Sequence, residues 1–295
     1  MAPLRTALLQ GPGGSPGGVA ESLAVLEEAA GRAAGLGARL LVTSEMFLTG
    51  YVLGAGDPRL AEAAGGPAER RVGEIAARHR IGIVYGGPER DGGAVFNTAR
   101  FIGPDGEALA AYRKAHLFGD FEREAFTPGA EPVVQAELDG IRIGLLICYD
   151  VEFPEAVRAH ALAGTELLVV PTALMRPYEF VPHTLVPARA YENGLYIAYV
   201  NRCGPEGDFH FTGLSCLAGP DGVVRARAGG DGELLVADAD PAALRAARAE
   251  TPYLTDRRPE LYGSLARSGA GPGSTHGADP APDRAAREAA RRSAP

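Results

Sequence analysis

The sequence predicts an α/β layer protein. Apolar runs of strand length alternate with segments of helical period, and compact glycine-proline-aspartate turns divide the later part into hairpins. With 295 residues, 46% of them hydrophobic, the chain can bury a sizeable core. The absence of a fixed-period repeat or an interior linker favours one domain over residues 1–263.

Leu4 to Gln10 reads as the first strand, followed by a glycine-proline loop at Gly11 to Gly18. Val19 to Ala34 places apolar and alanine positions at helical spacing, and Gly35 and Gly37 close it. Ala38 to Thr43 is the next strand. A helix over Ala68 to Arg80 precedes strands at Ile81 to Tyr85, Ala94 to Ile102 and Ala108 to Arg113, the last two joined by the turn Gly103-Pro-Asp-Gly106. Ile141 to Ile147 is a further strand, and Pro154 lies in the first turn of a helix reaching Ala163. A second covering helix spans Tyr178 to Asn193. The turns Gly219-Pro-Asp-Gly222 and Gly229-Gly-Asp-Gly232 predict hairpins near the end.

From Ser264 glycine, proline, alanine and arginine replace the apolar periodicity, so residues 264–295 are expected to be a disordered tail. A short alanine-arginine helix or a docking role at its end stays open.

Composition excludes several classes. A formal charge of -8 argues against general binding to nucleic acid or anionic membrane, since either needs a basic face. The N-terminal apolar stretch is too short for a signal peptide and no later segment is long enough to span a bilayer, so a cytoplasmic location is expected. The three cysteines, Cys148, Cys203 and Cys216, are odd in number and widely spaced. They fit a reducing compartment and form no zinc-ligand pattern. The sequence implies no metal or organic cofactor.

Cys148 is the most informative position. It ends the apolar run Ile141-Arg-Ile-Gly-Leu-Leu-Ile147 just before a helix, at the carboxyl edge of a sheet, where open α/β sheets bind ligands. A cysteine there also serves as a small core residue, so it needs partners. Glu45 closes the second strand in Leu40-Leu-Val-Thr-Ser-Glu-Met-Phe-Leu-Thr-Gly-Tyr51. Lys114 closes another in Ala110-Ala-Tyr-Arg-Lys-Ala-His-Leu-Phe-Gly119. Either charge alone reads as a solvated strand end; three reactive side chains at one kind of boundary read as a site.

These segments resemble the nitrilase, or carbon-nitrogen hydrolase, superfamily from about Pro3 to Tyr262. Glu45 in Ser-Glu-Met-Phe-Leu-Thr-Gly-Tyr, Lys114 in Tyr-Arg-Lys-Ala-His-Leu-Phe and Cys148 in Cys-Tyr-Asp-Val-Glu-Phe-Pro-Glu match its three motifs. Arg189-Ala-Tyr-Glu-Asn-Gly194, Asn201-Arg-Cys-Gly204, Phe211-Thr-Gly-Leu-Ser215 and Arg257-Arg-Pro-Glu-Leu-Tyr262 agree as well. The resemblance implies a four-layer α/β/β/α sandwich, with residues 1–263 as the carbon-nitrogen hydrolase domain. It also implies a homo-oligomer, a dimer or larger, paired across helical surfaces.

The implied activity is hydrolysis of a small amide to carboxylate and ammonia through a cysteine thioester. Cys148 is then the nucleophile and Glu45 the general base, while Lys114 and the Tyr149 N–H form the oxyanion hole. Glu122 matches a second glutamate of the amidase members and is expected to position the amide or pair with Lys114, its alternative being an ordinary loop charge. Asp150 and Glu152 are expected to shape the motif as hydrogen-bond acceptors or salt-bridge partners. His116 is expected to be structural or part of a substrate loop.

The stretch Lys114 to Gly129, with Pro177-Tyr-Glu-Phe180, looks most like members acting on amides with a terminal amine or guanidine, such as 5-aminopentanamide and 4-guanidinobutanamide. Glu179 or Asp120 is the expected partner of the distal cation, and Tyr51 a candidate pocket wall. N-carbamoyl-amine cleavage and nitrile hydrolysis use the same three residues and remain alternatives. A non-catalytic scaffold or metabolite sensor is the alternative from another class.

Overall fold

In the computed structural model, residues 2–11, 18–52 and 57–263 are described. The stretch 264–295, expected to be a disordered tail, lies outside them, as does most of the glycine-proline loop after the first strand.

Period-two alternation in β1 (Leu4–Gln10) sets the layering. Leu4 and Leu8 join one apolar cluster and Ala7 and Leu9 another. The same split separates Leu40 and Val42 from Leu41 in β2 (Leu40–Val42), and Val84 from Ile83 and Tyr85 in β3 (Gly82–Asp91). The first cluster lies between two sheets. The second lies under α1 (Val19–Gly35) and α2 (Pro67–His79), through Leu26, Ala30, Val72 and Ile75.

The first sheet runs β14 (Glu233–Ala239), β1, β2, β3, β4 (Ala94–Ile102), β5 (Ala108–Arg113). The second runs β13 (Val224–Arg227), β12 (Cys216–Ala218), β9 (Tyr196–Val200), β8 (Leu167–Pro171), β7 (Ile141–Leu145), β6 (Gln135–Leu138). A separate hairpin pairs β10 (Cys203–Glu206) with β11 (Phe209–Thr212). Helices α4 (Pro154–Leu162) and α5 (Val186–Asn193) bury Val157, Ala161, Val186 and Ala190 with the second sheet. The order is therefore helix, sheet, sheet, helix: the α/β/β/α sandwich.

Each sheet has three adjacent parallel strands, β1-β2-β3 and β7-β8-β9. Because β3-β4 and β4-β5 are both antiparallel, β5 points the same way as β2. The residues following β2 and β5 thus emerge at one edge of the first sheet, which is the local reason Glu45 and Lys114 can meet.

Strands β1, β4 and β5 have the predicted bounds. β2 is shorter than the expected Ala38 to Thr43, and β3 runs on to Asp91 past the expected Tyr85. Two larger expectations are also corrected. The helix expected over Tyr178 to Asn193 is a π-helical turn at Val181–Leu185 followed by α5, because Pro182 and Pro187 lack the N–H groups a continuous α ladder requires. The turn at Gly229–Gly232 makes no hairpin. It carries the chain from β13 in one sheet to β14 in the other, held by Gln10, whose Nε2 donates to Gly229 O at 2.9 Å and Asp231 O at 2.6 Å. No described helix is long and apolar enough to cross a membrane.

Candidate active site

The strand β7 stops at Leu145, two residues earlier than predicted, and Cys148 opens a tight 3-10 turn, Cys148–Glu152. Its φ of 45° is left-handed, a conformation that costs a non-glycine residue about 1–3 kcal/mol and persists only where the surroundings over-determine it. Asp150 supplies that constraint. Its fully buried carboxylate accepts from Ile147 N at 3.1 Å, His116 N at 2.9 Å and Tyr112 OH at 3.0 Å, and lies 2.7 Å from His116 Nδ1. The His116 ring stacks on Phe153 with centroids 3.9 Å apart. From α5, Arg189 donates to the carbonyls of Val151 at 3.3 Å and Glu152 at 2.9 Å, tying down the end of the turn. Asp150 and His116 thus have the shaping roles expected of them.

Lys114 leaves β5 and Glu45 follows β2, and their side chains meet at 2.8 Å, Nζ to Oε1. Glu122, on α3 (Gly119–Ala125), takes Lys114 Nζ on its Oε1 at 2.6 Å. All three side chains are 0% exposed. Glu122 is further fixed by Tyr51 OH at 2.9 Å and by Phe118 N, which donates to its Oε2 at 2.6 Å. Asn97 Nδ2 donates to Glu45 Oε1 at 2.7 Å, whereas Glu45 Oε2 has no hydrogen-bond partner among the described residues.

Electrostatics follow from this burial. Burial pushes the Glu45 carboxyl up to about 7; the Glu122 charge adds to the rise, and Lys114 and Asn97 oppose it. Burial disfavours the Lys114 ammonium, yet the charges of Glu122 and Glu45 outweigh it and hold its proton well above the ordinary lysine range. Burial and the Glu45 charge push the Cys148 thiol well above its usual range, against Lys114 and a hydrogen bond at the Ala173 backbone. The resting sulfur is therefore a thiol, and attack needs a base at the moment of bond formation. A carboxylate near pH 7 with one oxygen unengaged suits that task.

The structure brings Glu45, Lys114, Glu122 and Cys148 into one electrostatically coupled group, with the Tyr149 N–H in the turn that Cys148 opens. Tyr51 is buried beside Glu122, its hydroxyl engaged by that carboxylate and its ring edge-on to Phe209 and Phe211. Asp120 and Glu179 are not brought into it. Asp120 is an exposed partner of Arg123 at 3.1 Å, and Glu179 lies 3.9 Å from Arg176 near the surface. Glu152, expected to accept a hydrogen bond or form a salt bridge, does neither with its carboxylate among the described residues. Among those residues no group of three or more His, Cys, Asp or Glu is placed to hold a metal ion.

Two contributors were missed in the sequence. Asn97 sits mid-strand in β4, and Arg202 is 2% exposed, donating from Nη1 to the Glu45 and Met46 carbonyls at 3.2 Å each and pairing with Glu206 at 3.2 Å. Neither stood out in the sequence, because Asn97 is one of several polar residues in β4, with Thr98 and Arg100. Asn201, expected to satisfy backbone groups, accepts from Leu174 N at 2.7 Å and donates to Leu174 O at 3.1 Å and Gly213 O at 2.8 Å.

The carbon-nitrogen hydrolase family model matches residues 5–249. A protein of Pseudomonas protegens described as "Hydrolase in pqqF 5'region" is 45% identical over 266 residues, covering 90% of this chain and 92% of that one. An (R)-stereoselective amidase from a Pseudomonas species is 39% identical over 225 residues, covering 76% and 81%. Among solved structures, a cysteine-to-alanine mutant of the Nesterenkonia AN1 amidase of the nitrilase superfamily superposes with TM-score 0.80 at 38% identity, covering 90% of this chain and 97% of that one. Another structure of that amidase carries the acetamide moiety of fluoroacetamide covalently at its active-site cysteine. With the sandwich in place and these matches running across nearly all of its described length, this chain belongs to the carbon-nitrogen hydrolase family, the enzymes of the nitrilase superfamily.

Proposed function

We propose that this protein is an amidase that hydrolyses small aliphatic amides to carboxylate and ammonia through a thioester on Cys148. The observation that carries the reading is the buried Lys114 ammonium held between Glu45 and Glu122 beside a thiol in a left-handed turn. Cys148 Sγ attacks the amide carbon as its proton passes to the unengaged Glu45 oxygen. The tetrahedral oxyanion is held by Lys114 Nζ and the Tyr149 N–H. Collapse breaks the C–N bond, and Glu45 returns the proton to the leaving nitrogen, which departs as ammonia. Glu45 then takes a proton from water, whose oxygen attacks the thioester; the C–S bond breaks, and Glu45 returns that proton to the departing sulfur, which restores the thiol. Glu122 keeps Lys114 in place and presents a carboxylate to the amide N–H₂. The covalent adduct on the active-site cysteine of the Nesterenkonia amidase supports a nucleophilic sulfur here.

Within that class, amides with a terminal amine or guanidine, such as 5-aminopentanamide and 4-guanidinobutanamide, are the substrates we favour. The protein's high net negative charge tolerates cations. Half-exposed apolar groups on adjoining helices, Leu162, Tyr191 and Tyr253, offer a surface for the homo-oligomer we also infer. The test is ammonia release from neutral, ω-amino, ω-guanidino and carbamoyl amides and from nitriles. Cys148→Ala must abolish it while the far-UV spectrum persists. Turnover unchanged in that variant removes Cys148 as nucleophile, and turnover confined to nitriles or carbamoyl amines replaces the amidase reading.

A further inference from the structure

The expected cation partners, Asp120 and Glu179, are paired with arginines at the surface. One carboxylate close to the reacting group has no such partner among the described residues. Glu152 ends the turn that Cys148 begins, four residues on, and is neither fully buried nor exposed. Its main chain is fixed, because Arg189 donates to its carbonyl at 2.9 Å, but Arg189 directs its other terminal nitrogen to Glu192 at 3.0 Å. The Glu152 carboxylate therefore has a rigid base and no hydrogen bond or ion pair among the described residues.

Its surroundings place it at the site. The carboxylate interacts with Lys114 and Arg189, and Tyr199 senses both Glu152 and Cys148. Tyr178 senses it too, and Tyr178 is edge-on to Phe118 at 6.1 Å, which is edge-on to Tyr149 at 5.3 Å. These three rings are half-buried, so aromatic surface remains open beside the carboxylate. Burial pushes the Glu152 carboxyl up to about 7, against Lys114 and Arg189, and a cation bound beside it would favour its charged form.

A carboxylate with no hydrogen bond or ion pair among the described residues, next to open aromatic faces, has the chemistry that recognises an ammonium or guanidinium group. We propose that Glu152 is the specificity-determining residue of the acyl side of the site, binding a cationic group carried by the amide substrate. The assignment rests on the amidase reading for its location, and it replaces Asp120 and Glu179 in that role.

The test compares 5-aminopentanamide with pentanamide, which lacks only the terminal amine, in the wild-type protein and in Glu152→Gln. The wild type should favour the cationic amide in kcat/KM, and the ratio between the two amides should fall by about 10–100-fold in Glu152→Gln, the loss expected for one charge-assisted contact. A residue that merely supports the fold would depress both amides together and leave the ratio unmoved, which overturns the proposal. Equal efficiency of the wild type on both amides also overturns it, while leaving the amidase reading intact. Binding to Cys148→Ala, measured by calorimetry, separates the two ideas. Tighter binding of 5-aminopentanamide than of pentanamide, lost in Cys148→Ala with Glu152→Gln, upholds the cation site even if the chemistry proves different. Equal binding of both to Cys148→Ala removes it.

Discussion

Lys114 Nζ lies 2.8 Å from Glu45 Oε1, and the other oxygen of that carboxylate is buried with no hydrogen-bond partner among the described residues. The ion pair thus engages one face of Glu45 and leaves the other to exchange protons. An uncompensated buried acceptor is costly in a core, about 1–3 kcal/mol, and is tolerated where it works. Glu45→Gln keeps the shape and the contact with Lys114 but cannot take a proton. Steady-state ammonia release should fall by about 10²–10⁴-fold, the usual range for a lost general base. A loss under tenfold would assign the base elsewhere.

The pH profile is set by the same carboxyl. Burial raises Glu45 to about 7, and its charged form is the base, so kcat/KM should rise with pH through about 7 and level off above it. Asn97 Nδ2 favours that charged form by donating at 2.7 Å. In Asn97→Leu the donor is gone, the proton is held more tightly, and the acid limb should move to higher pH. An acid limb that stays in place, measured by kcat/KM against pH, would show that another group controls it.

Tyr51, a candidate pocket wall, has its hydroxyl 2.9 Å from Glu122 Oε1, the oxygen that also holds Lys114. Tyr51→Phe leaves the ring contacts with Phe209 and Phe211 and removes one donor from a buried carboxylate. The expected cost is about 1.5–3 kcal/mol of stability, read as a lowered denaturation midpoint at unchanged slope. Activity should fall by about tenfold through kcat more than KM if Tyr51 acts on Lys114 rather than on substrate. A change confined to KM would assign Tyr51 to the pocket wall instead.

The layering was legible because β1, β4 and β5 are runs of strand length set off by glycine-containing loops, and the elements near 181 were not, because Pro182 and Pro187 interrupt a helical period without abolishing it. Glu45, Lys114 and Cys148 were legible as reactive groups closing apolar runs. Asn97 was invisible for the opposite reason: it lies inside a strand, and its partner Glu45 is 52 residues away in the chain. Arg202 is similar, since its contact with the Glu45 carbonyl spans 157 residues. Asp120 and Glu179 show the limit of reading charge from a line: each has an arginine three residues away that the fold turns toward it.

Gly86 illustrates how backbone packing sets the chemistry. A Cβ there would lie 2.6 Å from Met46 N, 2.8 Å from Ser44 O and 3.0 Å from the Glu45 carbonyl carbon. All three are backbone atoms of the segment that delivers Glu45, and that segment is gripped from the far side by Arg202. It cannot yield without moving the carboxylate relative to Lys114. Gly86→Ala should therefore cost about 10²-fold in kcat, the penalty for roughly 1 Å of misplacement. The neighbouring Gly87→Ala is the control, because its Cβ meets only the Leu48 side chain at 3.8 Å, an ordinary contact. Ammonia release by Gly86→Ala within twofold of that by Gly87→Ala would mean that the Glu45 segment has slack that its close backbone packing denies.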